Sequence, residues 1–169
     1  ETMEGKFRPG HFIGMSEVVY RLLRITSPDS LFMGQKDFQQ FSIIRKLIAD
    51  FQMPIQLVMC PTVREENGLA MSSRNVRLSP EARDKAGVIF NILTSGKMLF
   101  EQKTPAKYVQ DIALDALRKV NFDPEYFEVV NGYTLEPVQH MEDAEQIVAC
   151  CAVKVEGVRL IDNMIWKEE

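Results

Sequence analysis

The sequence predicts an α/β chain in two parts: an incomplete parallel α/β unit, then a small α+β unit ending in a three-stranded antiparallel sheet. Three observations predict it. Helix and strand patterns alternate over the first 60 residues, the order then changes to two helices followed by three strands, and a Ser-, Arg- and Asn-bearing loop lies between the two regimes. Alternating helices and strands of these lengths mark a parallel sheet, and helices followed by strands mark a segregated α+β unit.

From His11 to Ile25 the apolar residues Phe12, Met15, Val18, Val19, Leu22, Leu23 and Ile25 recur at helical spacing. Ser27-Pro28-Asp29 ends that helix, because proline and the residue before it cannot continue one. Leu31-Phe32-Met33 reads as a short buried strand closed by Gly34. A second helical pattern runs from Lys36 to Phe51 through Phe38, Phe41, Ile44, Leu47 and Ile48, and Pro54 separates it from a strand over Ile55 to Cys60. Two strands do not make a stable doubly wound sheet. Residues 1–62 are therefore expected to be the second half of a Rossmann-like nucleotide-binding domain, in a chain that opens on Glu1 as though cut from something longer.

Residues 63–78 are expected to be a hinge and mobile phosphate-binding loop, and residues 79–169 a C-terminal α+β lid domain. Ser79 caps and Pro80 starts a helix predicted to run to about Glu101. Thr104-Pro105 repeats the signal for a helix reaching Val120. Strands are predicted over Tyr126 to Val130, Gln146 to Val155 and Val158 to Trp166, the last two joined by a tight turn at Glu156-Gly157.

With 169 residues, 46% apolar and 26% charged, the chain has the composition of an ordinary globular protein. It carries 24 acidic and 20 basic side chains without a basic stripe, which weighs against nucleic acid as a partner. No apolar run approaches the roughly 18 residues needed to span a bilayer, and residues 1–12 carry no secretory signal. Cys60, Cys150 and Cys151 are odd in number and lack CxxC spacing, which fits a reducing compartment and small apolar fillers. The expected location is the cytoplasm.

Gly68-Leu69-Ala70-Met71-Ser72-Ser73-Arg74-Asn75 carries the strongest chemical signal. Two hydroxyls, a guanidinium and a permissive glycine can together hold a triphosphate. The same residue types also build plain turns. Gly34-Gln35-Lys36-Asp37, with Gln40 one turn on, sits where a strand enters a helix. There unpaired N–H groups attract anions, Lys36 offers charge, and Asp37 suits a ribose hydroxyl or a magnesium-bound water. The competing reading makes Asp37 a helix-dipole partner and Lys36 a solvated side chain. Arg8-Pro9-Gly10-His11 offers two groups for an acidic substrate, or else a structural helix entry and a surface ion pair. Val63, just past a strand end, has a backbone amide and carbonyl that suit an adenine edge, or is an ordinary linker valine. Arg64, Glu65 and Glu66 read as solvated charge, and His140 as a surface residue.

Taken together, Arg8-Pro9-Gly10-His11-Phe12, Phe32-x-Gly34-x-Lys36-Asp37-x-Gln39-Gln40, Pro61-Thr62-Val63-Arg64-Glu65 and Gly68 to Asn75 resemble the pantoate–β-alanine ligase family in order and spacing, and Leu160-Ile161-Asp162-Asn163 fits as well. The resemblance implies a nucleotidyltransferase fold related to class I aminoacyl-tRNA synthetases, a homodimer, and condensation of pantoate with β-alanine using ATP and Mg2+. It implies that Gly34, Gln35, Lys36 and Asp37 bind ATP, that Val63 meets adenine, and that Met71, Ser72, Ser73 and Arg74 form the loop that closes on the phosphates. Lys36 and Arg74 would be catalytic, and Gln40 would hold pantoate together with His11 and Arg8.

Two departures stand out. The family's N-terminal half carries a Met-Gly-x-Leu-His-x-Gly-His type segment that is not among these residues, and His11 is neither of its histidines. Gln35 stands where many members have Glu. The isolated chain is therefore expected to be inactive. The competing readings are a non-catalytic nucleotide-binding or dimerisation module and, more distantly, an RNA-binding remnant of a synthetase.

Overall fold

A computed structural model describes residues 2–168; Glu1 and Glu169 lie outside the described residues. The chain divides after Pro61 into two compact units.

In the first unit a short helix α1 (Glu4–Phe7) precedes α2 (His11–Thr26), β1 (Ser30–Gly34), α3 (Phe38–Asp50) and β2 (Gln56–Cys60). β1 and β2 pair in parallel, Ser30 opposite Gln56 and Gly34 opposite Cys60, so α3 is the crossover of a βαβ unit. Leu23, Ile44 and Ile48 form the buried centre, with Met15, Val19, Leu31, Met33 and Leu57 packed around it. Met15, Val19 and Leu23 of α2 and Ile44 and Ile48 of α3 are helical-period residues on inner faces, whereas Val18, Leu22 and Ile25 of the same α2 pattern are exposed. α2 ends where Ser27 turns left-handed (φ 42°), with its N–H bonded to Leu23 O. The predicted second helix is corrected at its start. Gln35–Asp37 is a 3-10 turn, and α-helical geometry begins only at Phe38.

The second unit contains α4 (Pro80–Lys85), α5 (Val88–Glu101), α6 (Ala106–Lys119), β3 (Asp123–Asn131), β4 (Ile147–Val155) and β5 (Val158–Lys167). The sheet order is β3-β4-β5, antiparallel throughout. Glu156 (φ 48°) and Gly157 (φ 75°) form the β4–β5 turn at the predicted place. Cys150 and Cys151 are both buried on successive, opposite-facing positions of β4, and Cys151 belongs to the core. That core joins Ile89, Leu93 and Phe100 of α5, Val109 and Leu117 of α6, and Ile147, Ala149 and Val153 of β4. The sole tryptophan, Trp166, is buried against Phe100 and Phe127, at ring-centroid distances of 5.4 and 6.2 Å.

The single helix predicted from Ser79 to Glu101 is two helices. Ser79 does cap α4, its Oγ accepting from Ala82 N at 3.1 Å, but α4 stops after Lys85. The break is imposed from outside the helix. Asn67 Nδ2 donates to the carbonyls of Arg83 and Asp84, both at 2.9 Å, and so satisfies the end of α4. Asn67's own carbonyl oxygen lies 2.2 Å from where a Cβ on Gly87 would stand, so glycine is there for close backbone approach. α6 is corrected in a smaller way. Thr104-Pro105 supplies no side-chain cap, and the N–H of Ala106 bonds instead to Gln139 O at 2.9 Å.

Gly87→Ala is accordingly expected to destabilise the second unit by about 1–3 kcal/mol, the range for forcing atoms into a filled site. Urea unfolding followed by Trp166 fluorescence measures it; an unchanged midpoint would contradict the close-approach account.

Candidate functional site

In the first unit β1 delivers Gly34 to its carboxyl end, where parallel sheets bind nucleotides. Gly34 is exposed, with φ −70° and ψ 134°, and a Cβ added to it would meet nothing within 4 Å. Neither backbone angle nor packing within the chain requires glycine there. Gln35 and Lys36 are half-buried and Asp37 is exposed on the 3-10 turn, while Gln40, half-buried, follows in the first turn of α3. Gln39, beside it, is buried. Its Oε1 accepts from Glu4 N at 3.0 Å and its Nε2 donates to Thr2 O at 3.1 Å, which ties the segment before Arg8 to α3. Arg8 is exposed, and His11, half-buried, opens α2 after Gly10 (φ 77°) with its ring 5.1 Å from that of Phe12.

In the second unit Val63 to Met71 folds back as a small hairpin. Met71 N bonds to Val63 O at 2.9 Å, Glu65 N to Leu69 O at 2.8 Å, and Arg64 bridges Ala70. Val63 is 67% exposed; its carbonyl already accepts from Met71, and its N–H has no partner among the described residues. The loop continues as a 3-10 turn, Ser73–Arg77, entered through Ser72, whose Oγ accepts from Arg74 N at 3.2 Å. Met71, Ser73 and Arg74 are exposed, and the Arg74 guanidinium has no partner among the described residues.

Sequence reasoning missed what holds this hairpin. Arg64 and Glu65 are not solvated charge. The Arg64 guanidinium pairs in bidentate fashion with Asp162 of β5, at 2.6 and 3.0 Å, donates to Gly68 O, and lies 4.0 Å from the centroid of the Phe90 ring. Glu65 accepts from Arg83 Nε at 2.8 Å and Arg83 Nη2 at 3.0 Å, and from Nδ2 of the buried Asn75 at 2.7 Å. Asn75 also donates to Ala70 O at 3.1 Å. The only local signal for this network was Leu160-Ile161-Asp162-Asn163, a strand carrying two polar residues that turn out to be buried. His140 is exposed as expected; its N–H and that of Gln139 bond the Asp143 carboxylate.

The electrostatics follow from these bonds. Arg83, then Asn75, hold the Glu65 carboxyl below its ordinary value. The N–H groups of Gln139 and His140 do the same for Asp143, and the Ser79 N–H and hydroxyl for Glu156. Burial, then the charge of Asp162, pushes the Cys151 thiol well above its usual range. A carboxyl lowered on folding stabilises above its unfolded pKa, and that contribution is lost as pH falls through the folded value. A thiol raised on folding has the opposite sense, with stability lost as pH rises past its unfolded value. The thermal midpoint of the second unit, read from Trp166, is therefore expected to fall between about pH 5 and pH 3 and again above about pH 9. Glu65→Gln should flatten the acid limb; an acid limb identical to wild type would contradict the assignment.

The family model described as pantoate-beta-alanine ligase matches residues 1–165. A pantothenate synthetase of Azobacteroides pseudotrichonymphae is 41% identical over 169 residues, covering 98% of this chain and 59% of its own length. A crystal structure of pantothenate synthetase from Thermus thermophilus superposes with a TM-score of 0.89 at 37% identity, over 98% of this chain and 59% of that one. A pantoate-beta-alanine ligase of Francisella tularensis, complexed with β-γ ATP and β-alanine, matches with a TM-score of 0.71 at 32% identity, over 98% of this chain and 54% of that one. The chain thus spans somewhat more than half the length of the relatives it matches. The α/β class and the three-stranded antiparallel sheet agree with the comparisons, and the chain belongs to the pantoate-beta-alanine ligase family.

Proposed function

We propose that the chain takes part in the ATP-dependent condensation of pantoate with β-alanine, by way of a pantoyl adenylate and with release of pyrophosphate and AMP. The observation that carries this reading is Arg74, a partnerless guanidinium among the described residues, held outward on a turn whose next residue, Asn75, is buried. A cation displayed on an anchored turn suits a polyanionic ligand. Gly34 supports the same reading, since its bare Cα leaves room for a phosphate to approach. That a family member was crystallised with β-γ ATP and β-alanine gives further support.

In the proposed mechanism a pantoate carboxylate oxygen attacks the α-phosphorus of ATP, and the bond to the bridging oxygen breaks as pyrophosphate leaves. Negative charge grows on the equatorial oxygens and the leaving group, where Lys36 and Arg74 stabilise it more than they stabilise bound ATP. Gly34, Gln35 and Asp37 hold the nucleotide, Val63 offers its free N–H to adenine, and Met71, Ser72 and Ser73 close on the phosphates and exclude water from the adenylate. Gln40, Arg8 and His11 orient the pantoate carboxylate. The amine of β-alanine then attacks the acyl carbon, AMP departs, and the amine's proton is lost to solvent.

Among the described residues no group of three or more metal-ligating side chains exists. Mg2+ would be carried by the phosphates and water, Asp37 would hold one of those waters, and the ion would neutralise charge on the phosphates. No helix among the described residues is long and apolar enough to cross a membrane; three free cysteines support the cytoplasm as the compartment. Ile13, Val18, Leu22 and Ile25, at least half-exposed along α2, support a homodimer. The same stripe would serve a non-catalytic dimerisation module.

Mixed with ATP, Mg2+, pantoate and β-alanine, the chain is expected to release no AMP above a heat-killed control, because the paired-histidine segment is not among its residues. It is expected to bind ATP with a Kd on the order of 1 mM. Lys36→Ala and Arg74→Ala should each weaken binding about tenfold, the loss of one charge-assisted hydrogen bond. AMP release would overturn the inactivity; unchanged affinity in both variants would overturn the ATP assignment and favour the dimerisation module.

A further inference from the structure

The turn that displays Arg74 packs on β5 and borders open space on another flank. An open cleft of about 730 Å³, lined by Asn75, Val76, Leu78 and Pro80 together with Glu65 and Arg83, borders it, so side-chain packing does not brace that flank. What braces it is polar. The Glu65 carboxylate sits between two elements, taking a bidentate pair of hydrogen bonds from Arg83 of α4 and one from Asn75. Both Asn75 Nδ2 hydrogens are spent, on Glu65 and on Ala70 O, so the amide has one orientation. Asn75 N in turn bonds Ser72 O at 3.0 Å, and Ser72 Oγ holds Arg74 N, which closes the turn around Arg74.

We infer that Glu65, Asn75 and Arg83 are positioning residues for phosphate binding: they touch no phosphate themselves but fix the turn from which Arg74, Ser72 and Ser73 reach it. The inference rests on the proposed role of Arg74. Glu65, like any ordinary carboxyl, is ionised near neutral pH, and Arg83, then Asn75, favour its charged form further, so the clamp is set under ordinary conditions. Its effect is preorganisation. With the clamp cut, the turn must be ordered at the moment of binding, which weakens affinity without removing any ligand contact.

The test is titration of the whole chain with inorganic pyrophosphate by calorimetry or NMR, with the unfolding midpoint read from Trp166 in every variant. Glu65→Gln, Asn75→Ala and Arg83→Ala are each expected to weaken pyrophosphate binding about five- to tenfold. Arg83→Lys, which keeps the charge but loses the bidentate fork, is expected to recover only part of the loss and to bind more tightly than Arg83→Ala. Ile89→Val, a core change, should lower the midpoint and leave affinity unchanged, which separates positioning from general destabilisation. Clamp variants that bind like wild type while Arg74→Ala does not would overturn the inference and leave the Arg74 assignment standing, as would an affinity loss in Ile89→Val matching theirs. Wild-type binding unaffected by Arg74→Ala, or no binding at all, would overturn both.

Discussion

The Val63 to Met71 hairpin of the second unit depends on one ion pair, Arg64 with Asp162, made between residues 98 apart in sequence. Their side chains are only 18% and 3% exposed, so neither charge can be left alone without a large desolvation cost. The pair has the geometry that a buried pair needs. It is bidentate, the guanidinium lies over Phe90, and its spare hydrogens go to the carbonyls of Gly68 and Asn163. By fixing Arg64 it fixes the hairpin, and the hairpin carries Val63 at one end and Met71 at the other. A buried pair of this kind contributes little net stability compared with a well-packed apolar one. Its value is that it allows a single placement of the hairpin on β5.

Around that anchor the same logic repeats at lower burial. Asn67 satisfies the end of α4 and dictates Gly87; Glu65 and Arg83 tie the hairpin to α4; Glu156 of the β4–β5 turn bonds both the N–H and the hydroxyl of Ser79 at the other end of α4, each at 2.9 Å. The proposed phosphate-binding segment is thus a polar framework whose members bond one another, leaving Met71, Ser73 and Arg74 outward. The first unit works differently. Its elements form by apolar periodicity, and Gly34 at the end of β1 stands out because nothing in the chain demands it.

This difference explains what the sequence made legible. Apolar patterning located α2, α3, β1, β2 and all three strands of the sheet: the helices repeat at the period of a buried face, and the strands read as short apolar runs, β4 being buried on both faces. It failed at Gly87, since the helix break there is caused by Asn67, twenty residues away, and leaves no mark in the apolar pattern. It failed again at Gln35–Asp37, where a 3-10 turn replaces the expected helix start; α6 begins where Thr104-Pro105 signals, although a distant carbonyl rather than a side-chain cap takes the Ala106 N–H. The residues proposed to carry chemistry could be picked out because Gly, Lys, Arg and Ser cluster there in sequence. The residues that hold them were not, because Glu65 meets Arg83 and Arg64 meets Asp162 only through the fold. Charges adjacent in sequence read as solvated until their partners are known.

The most direct test of the central role of Arg64 is native-state hydrogen exchange on Arg64→Met, following the amides of Glu65, Gly68, Met71 and Asn75, whose acceptors all lie within the hairpin and turn. Removing one partner of a buried pair is expected to cost about 3–5 kcal/mol. It should also bring those four amides to near-unprotected exchange while the β4 amides remain the slowest in the unit. A variant destabilised by less than about 1 kcal/mol, with the four amides as protected as in wild type, would show that the hairpin holds its place without the pair.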